Sequence, residues 1–404
     1  MWKKVVLSIL LVISVATGFF AAKAQVTIEG RLNKVNRDYD TDLSSVDLSN
    51  IHVETDSKVI NILLLGDDYR TYDGSTSPGL NDVIMIGTLD MKHNTLKLTS
   101  IMRDTLVDVY GQNKKMKVNA SGKKEFGGLK NLYKTLAENF NVKVDGYAEV
   151  GFKGFEQAVN AVGGVEVELS DTEVEYLNRT NYVWKKKNRK FKVGKQHLNG
   201  AQALGWCRIR KGMDVIGKPV KTVTGLADDY GRTWRQRTVI TALFDKMKSQ
   251  PLSKWMEVAD KVLENVRTDL DNDTILKYMK DAVMMGTTQI HQMQIPVNGY
   301  YRNDKNNEFP DAQGWSLVPT NGITTDYDRT ANSEALRQFI FKYDGKDEFK
   351  YKPKDTSTVS STGKDYDEVI IGLFQNLRGS IHGNQNGAGK GTADNRSEER
   401  RVGK

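Results

Sequence analysis

Two groups of charged residues in this chain are spaced for chemistry. In the first, three apolar runs each meet charged residues at one end. Val59–Leu65 is a near-continuous apolar run, the pattern of a strand buried on both faces, and it leads into Gly66-Asp67-Asp68-Tyr69-Arg70. Asp82 opens a second run, Val83–Leu89, and a third, Leu96–Ile101, ends at Arg103-Asp104-Thr105. The turn at Lys92-His93-Asn94 makes the second and third runs an antiparallel hairpin, which sets Asp82 beside Arg103-Asp104. With the first strand in the same sheet, Asp68 reaches that edge too. Each residue alone reads as a turn residue or a surface ion pair. Together they converge at strand ends, where α/β sheets bind ligands.

The second group is Arg208-Ile209-Arg210 followed by Asp229, Arg232, Arg235 and Gln236. The pattern predicts a helix over 226–248. Asp229, Arg232 and Gln236 share one stripe of it, Arg235 flanks them, and Val239, Ile240, Leu243, Phe244 and Met247 continue as a buried face. Charged residues on a helix usually lie opposite the apolar stripe. Here they continue it, so they point inward, and an arginine cluster in a cleft suits phosphate because the guanidinium fork binds its oxygens bidentately.

The elements that carry these groups belong to a chain of 404 residues with 59 Lys+Arg against 51 Asp+Glu and a formal charge of +8. Hydrophobic residues at 38% exclude a multi-pass membrane protein, and a single cysteine, Cys207, excludes a disulfide framework. The modest positive balance favours anionic partners, and no convincing helix-turn-helix points to nucleic acid. Five histidines without HExxH spacing and the lack of a GxSxG elbow weaken zinc- and serine-hydrolase readings. At the N-terminus, Lys3-Lys4 precede the apolar run Val5–Ala22, long enough to span a bilayer, with the lysines favouring a cytoplasmic N-terminus. Ala22-Lys23-Ala24 also resembles a cleavage site. The expected organisation is a transmembrane signal-anchor at 1–24, an extracytoplasmic stalk at 25–57, a catalytic domain at 58–344, and a low-complexity tail at 345–404 expected to be disordered. The tail includes a short helical stripe from Val369 to Leu377. The basic loop Lys185–Lys190 reads as a solvated loop, with binding of an anionic polymer or lipid headgroup as the lesser alternative, and Phe152–Ala161 as a helix stopped at Gly163-Gly164 before a strand.

Asn61-Ile-Leu-Leu-Leu-Gly-Asp-Asp68-Tyr-Arg70, Asn81-Asp82, Ser100-Ile-Met-Arg103-Asp104-Thr105, Lys117-Val-Asn119, Gly163-Gly-Val165, Leu198-Asn-Gly200, Arg208-Ile-Arg210 and Asp229…Arg232…Arg235-Gln236 occur in that order. This ordered set, from about Lys58 to Phe341, resembles the LytR–CpsA–Psr family of Gram-positive cell-wall enzymes. Asn81 departs from a common Arg or Lys, and Met102 from a common Pro. The resemblance implies a three-layer α-β-α sandwich with a central mixed sheet and an apolar pocket for a polyprenyl tail. It implies transfer of a glycopolymer (wall teichoic acid, capsular or a related polysaccharide) from a polyprenyl-pyrophosphate carrier to peptidoglycan, with formation of a phosphodiester bond. Carried over by position, Asp68 and Asp82 hold Mg²⁺, with Mn²⁺ as a substitute. Arg70, Arg103, Arg208, Arg210, Arg232 and Arg235 clamp the pyrophosphate, while Asp229 and Gln236 orient the arginines. Arg103, Asp104 and Arg70 are the catalytic candidates, with Asp104 a candidate base by its chemistry. The implied location is the cell membrane, single-pass, with the catalytic domain outside. A lipid pyrophosphate phosphatase using the same site, and a non-catalytic envelope regulator or scaffold, are the alternatives.

Overall fold

The computed structural model describes residues 36–37, 41–67, 71–72, 75–76 and 81–353, apart from short gaps within 249–260 and at 288, 305–306 and 352. The expected anchor at Val5–Ala22, the helical stripe at 369–377 and the tail beyond 353 lie outside the described residues, as do Asp68 and Arg70. Among the described residues no helix is long and apolar enough to cross a membrane.

Seven strands form one mixed sheet: β1 Asn36–Arg37, β2 Val59–Asp67, β3 Val83–Asp90, β4 Thr95–Ile101, β5 Gly146–Gly151, β6 Val266–Thr268 and β7 Ile290–Ile295. Their spatial order is β1-β6-β5-β2-β3-β4-β7, with β2 parallel to β5, β4 parallel to β7, and β2-β3-β4 antiparallel. The helices are α1 Gly128–Phe140, α2 Phe152–Ala161, α3 Asp171–Arg179, α4 Gly200–Arg208, α5 Asp228–Met247, α6 Asn272–Met285 and α7 Thr330–Phe341.

Alternation along the strands decides which face each helix covers. Leu63, Leu65, Ile84, Ile86, Ile101, Met293 and Ile295 point to one face and join α1 (Leu132, Leu136, Phe140) and α7 (Leu336, Phe339, Ile340) in a core. The residues between them point to the other face, where Gln292 and Gln294 of β7 meet Arg237 of α5. A second core lies among α2–α5 and the antiparallel pair Val165–Leu169 and Gly194–Leu198; Trp206, Leu177, Val159 and Val239 are buried in it. Close approach there needs glycine: a Cβ on Gly200, at the start of α4, would stand 2.2 Å from the Glu156 carbonyl oxygen of α2.

The β3–β4 hairpin turns where the sequence predicts. Asn94 takes the left-handed conformation, at φ 54°, and the Asp90 carboxylate accepts from the backbone N–H of Lys92 and His93 at 3.0 Å each. Lys97 Nζ donates to the same carboxylate at 2.6 Å and to the Ile340 carbonyl at 2.8 Å, which fastens the hairpin to α7. The helix predicted at 226–248 is α5, and Phe152–Ala161 is α2, followed by Gly163 and Gly164 at φ 78° and 83°.

The folded body is longer than the predicted 58–344. Of the span read as a stalk, Leu43 is buried in the first core, and Val46, Leu48, Ile51 and Val53 pack against it. Leu43 N–H donates to Asp269 at 2.9 Å, and Glu54 accepts from Arg337 Nε at 2.6 Å. Beyond Asp344, Phe349 and Tyr351 also pack on this core. Five apolar residues between 43 and 53 suffice to bury a segment that shows neither helical nor strand periodicity, because it is laid down as turns rather than as a regular element.

Candidate active site

The site is built by strand register. Met85 pairs with Ser100 and Asp90 with Thr95, so the pairing continued past Met85 places residue 82 opposite residue 103. Asp82 Oδ1 accepts from Arg103 Nη1 in an ion pair. On the other side of β3, Gly66 pairs with Val83 and its carbonyl accepts from Asp82 N–H at 3.0 Å. The β2 end that leads to Asp68 therefore lies at this edge, although Asp68 itself is beyond the described residues.

The backbone after β4 is held by distant segments. Met102 N–H donates to the Ile295 carbonyl, and the Asp104 carbonyl accepts from Leu317 N–H, both at 2.8 Å. Asp104 is buried; its carboxylate accepts from Arg210 Nη2 at 2.5 Å and lies 3.8 Å from both Arg103 Nε and Lys117 Nζ. Arg210 also places Nε 3.2 Å from Asp229. On α5, Arg232 Nη2 lies 2.7 Å from Asp229, and its Nη1 is 4.0 Å from Asp82. Six predicted residues, Asp82, Arg103, Asp104, Arg210, Asp229 and Arg232, thus form one continuous network. Lys117, on the short strand Lys115–Lys117, is a seventh member. Its position was legible only as part of the family-like Lys117-Val-Asn119 segment.

Four cations and three carboxylates make up this network. Burial pushes the Asp229 carboxyl above the usual carboxylate range, with Arg232 opposing and Asp104 adding to the rise. Burial also lowers Arg232, with Asp229 opposing. Arg103 Nε and Arg232 Nε are buried without a hydrogen-bond partner. Buried donors are normally paired, so orphaned guanidinium nitrogens in a cluster that is partly open mark a place for an anion. Asp82 is the open carboxylate, with its side chain 36% exposed, against 5% for Asp104 and 2% for Asp229.

The other predicted residues stand elsewhere. Arg235 is not at the site: its Nε donates to Glu173 at 2.6 Å, both side chains have no exposure, and its Nη1 donates to the Ile209 carbonyl at 3.0 Å. Three residues on from Arg232, it falls on the side of α5 facing α3 and α4 rather than the sheet edge. Arg208 stacks its guanidinium 4.7 Å from the Phe152 ring and 5.9 Å from that of Tyr182, because it ends α4 while Arg210 lies past the helix cap. Gln236 is half-buried, and its Oε1 is buried without a partner, so it orients none of the arginines. Arg70 and Asp68 lie outside the described residues. Sequence reasoning had no signal for Glu173, whose partner is 62 positions away. Among the described residues no group of three or more His, Cys, Asp or Glu is arranged to hold a metal by itself.

The profile of the LytR_cpsA_psr family matches residues 20–314. A Bacillus subtilis protein named polyisoprenyl-teichoic acid–peptidoglycan teichoic acid transferase TagV is 33% identical over 275 residues, covering 66% of this chain and 64% of its own length. A Bacillus mycoides protein of the corresponding name, TagU, is 30% identical over 302 residues, covering 74% of this chain and 88% of its own. In fold, the chain is similar to the crystal structure of a Streptococcus agalactiae protein, gbs0355: TM-score 0.54, 22% identity, 78% of this chain and 95% of that one.

Proposed function

The chain belongs to the LytR–CpsA–Psr family, and from that premise we propose that it transfers a teichoic acid or related glycopolymer from a polyprenyl-pyrophosphate carrier to peptidoglycan, forming a phosphodiester bond. The observation that carries this reading is the arginine network with buried, unpartnered Nε donors beside an open carboxylate. Arg103 and Arg232 bind phosphoryl oxygens; Arg210, tied to Asp104 and Asp229, holds the ends of the two segments in register. As the polyprenyl phosphate leaves, charge builds on its oxygens, and fixed guanidinium donors in a partly buried site stabilise that charge without reorganising. Asp104 has both carboxylate oxygens faced by cations, which makes it an organiser of the arginines. Asp82 is the carboxylate open enough to meet an incoming hydroxyl or a metal ion.

The fit for Mg²⁺ rests on this charge balance. Four cations against three carboxylates leave about one positive charge against the roughly two negative charges of a pyrophosphate diester, and a divalent cation beside Asp82 would more than offset the remaining negative charge. Asp82, with Asp68 of the β2 end, would hold it, and the ion would neutralise phosphoryl oxygens. A lipid tail has a suitable lining. On the sheet face shared with α5, Ile62, Leu64, Val83, Leu89 and Leu96 are only half-buried, as are Ile240 and Phe244 of α5. The reading also includes an anchor at Val5–Ala22 with the folded body outside the membrane, on the sequence pattern alone.

The test incubates the full chain with a polyprenyl-pyrophosphate-linked sugar and a peptidoglycan fragment, with and without Mg²⁺. Release of polyprenyl phosphate coupled to a new sugar–peptidoglycan phosphodiester, lost in Asp82→Ala and Arg103→Ala, is the expected result. Release without any coupled product would replace the transferase by a phosphatase. No release under any condition would remove the catalytic reading.

A further inference from the structure

Ten large hydrophobic side chains are exposed among the described residues, and five of them, Met213, Val215, Ile216, Val223 and Leu226, fall in one loop of sixteen residues, 211–226. Isolated exposed apolar residues need no explanation, but a concentration on one connection marks an interaction surface. This loop joins Arg210 to the start of α5, so it connects the two segments that supply the arginine network.

The loop holds its apolar tip outward by design of its hydrogen bonds. Asp214 N–H donates to the Lys218 carbonyl at 2.8 Å, and Gly217 N–H to the Asp214 carbonyl at 3.2 Å. The Asp214 carboxylate accepts from Ile216 N–H at 3.0 Å and Lys218 N–H at 2.8 Å. Val220 is buried in the second core, and the Lys221 carbonyl accepts from Ser170 Oγ at 2.5 Å. Between these anchors Val215 and Ile216 stand 71% and 70% exposed. The only acid of the loop, Asp214, is spent inside the turn, while Lys211, Lys218 and Lys221 are exposed.

A neighbouring segment extends the same chemistry. Arg179 Nη2, at the end of α3, donates to the Met213 carbonyl at 2.7 Å, and the chain leaving α3 runs into Trp184, 85% exposed, followed by exposed Lys185, Lys186, Lys187 and Lys190. Exposed apolar side chains interspersed along the chain with exposed lysines suit the boundary of an anionic bilayer, where the aliphatic groups enter the acyl region and the lysines meet headgroup phosphates.

We propose that the 211–226 loop, with the Trp184–Lys190 segment, is a membrane-docking surface that seats Val215 and Ile216 in an anionic lipid leaflet. The patch stands on exposure and charge; the transferase reading supplies only the reason for a lipid surface at this end, since a polyprenyl-linked substrate is presented there. Docking at this loop brings the arginine network to the headgroup level of that substrate.

The test labels the full chain carrying Ile216→Cys with a nitroxide in lipid vesicles, taking advantage of the burial of the native Cys207. The same label at Ile323→Cys is the reference: Ile323 is 75% exposed, and residues 321–328 carry no lysine. In phosphatidylglycerol-containing vesicles, the ratio of oxygen to nickel-chelate collisions is expected to be several-fold higher at 216 than at 323. It should fall when Lys211, Lys218 and Lys221 are replaced by Gln, or when the vesicles are pure phosphatidylcholine. A label at 216 as open to the chelate as that at 323 would overturn the proposal, and insertion indifferent to lipid charge and to the lysines would overturn its anionic assignment. Val215→Ser/Ile216→Ser should raise KM for vesicle-embedded substrate while sparing turnover of a water-soluble short-chain analogue. Equal losses on both would count against docking. Because depth is read without turnover, failure of the transferase reading and failure of docking are separable.

Discussion

Arg232 and Arg235 lie one turn apart on α5, and they stand in two ion-pair networks built for opposite ends. Arg235 meets Glu173 with neither side chain exposed. The same Glu173 carboxylate accepts from Trp206 Nε1 at 2.9 Å and from Ser170 N–H at 2.8 Å, the latter as half of the capping box of α3. One carboxylate thereby fixes α3, α4 and α5 to one another, and Arg235 adds a bond to the Ile209 carbonyl beside Arg210. Arg232 meets Asp229 in a network that opens to solvent through Asp82 and Arg210. The closed network is sealed from solvent, although Arg235 Nη2 also lacks a hydrogen-bond partner in it. The open one reaches solvent at Asp82 and Arg210, where an anion could approach its donors.

Removing one member of the closed pair should give the largest effect on stability. Glu173→Ala leaves Arg235 buried without a counter-charge and should cost about 3–5 kcal/mol in chemical denaturation. A loss under about 1 kcal/mol would break the distinction between the two networks. In the open network, Arg103→Ala should lower kcat on the order of 10²–10³-fold, as loss of one preorganised charge-stabilising donor does, with little change in unfolding free energy. An equal loss of stability in both variants would show that Arg103 is scaffold as well.

Asp229 sharpens the comparison through pH. Its carboxyl is raised above the ordinary 3.8, so the native state binds the proton more tightly than the unfolded chain. The charged form therefore costs stability at neutral pH, and that cost is relieved as pH falls through the raised native value. Activity moves the other way, since protonation releases Arg232 and Arg210. The acid limb of kcat/KM should lie above the usual aspartate range. Asp229→Asn should flatten it and remove the gain in stability on acidification, while leaving the buried Arg232 without its nearest carboxylate, and paired pH–rate and pH–melting profiles check both effects. The smallest effect is expected at Arg208. Arg208→Lys weakens the stacking on Phe152 by about 0.5–1 kcal/mol and should change turnover only a few-fold. A loss as deep as that of Arg103→Ala would return Arg208 to the clamp.

Much of the site was legible because it follows from register. Apolar runs gave the strands, the turn around Lys92-His93-Asn94 gave the hairpin, and an antiparallel pairing then put Asp82 beside Arg103-Asp104 without any knowledge of side-chain packing; the four-residue loop 91–94 sets the register that selects Arg103. The helical stripe likewise led from Asp229 to Arg232. Arg235 was not separable from Arg232 by spacing, because both lie within the arc that an inward stripe can occupy, and the partner that claims Arg235 comes from another helix. Arg208 misled for a related reason: a helix end between two arginines sends them to different neighbours. The packing of Leu43–Val53 leaves no mark in the sequence pattern, since an irregular segment buries apolar residues without a period to reveal it.

The tie between Asp104 and Leu317 has a consequence for the order in which the chain becomes competent. Synthesis delivers Asp82, Arg103 and Asp104 early, yet the backbone that bears the two last residues is fastened by Ile295 and Leu317, about two hundred positions later. Until those segments have emerged and docked, the early arginine and carboxylates have no fixed geometry. A nascent or prematurely terminated chain therefore carries these charged groups unassembled, and the candidate site is completed only when nearly the whole folded body has been made.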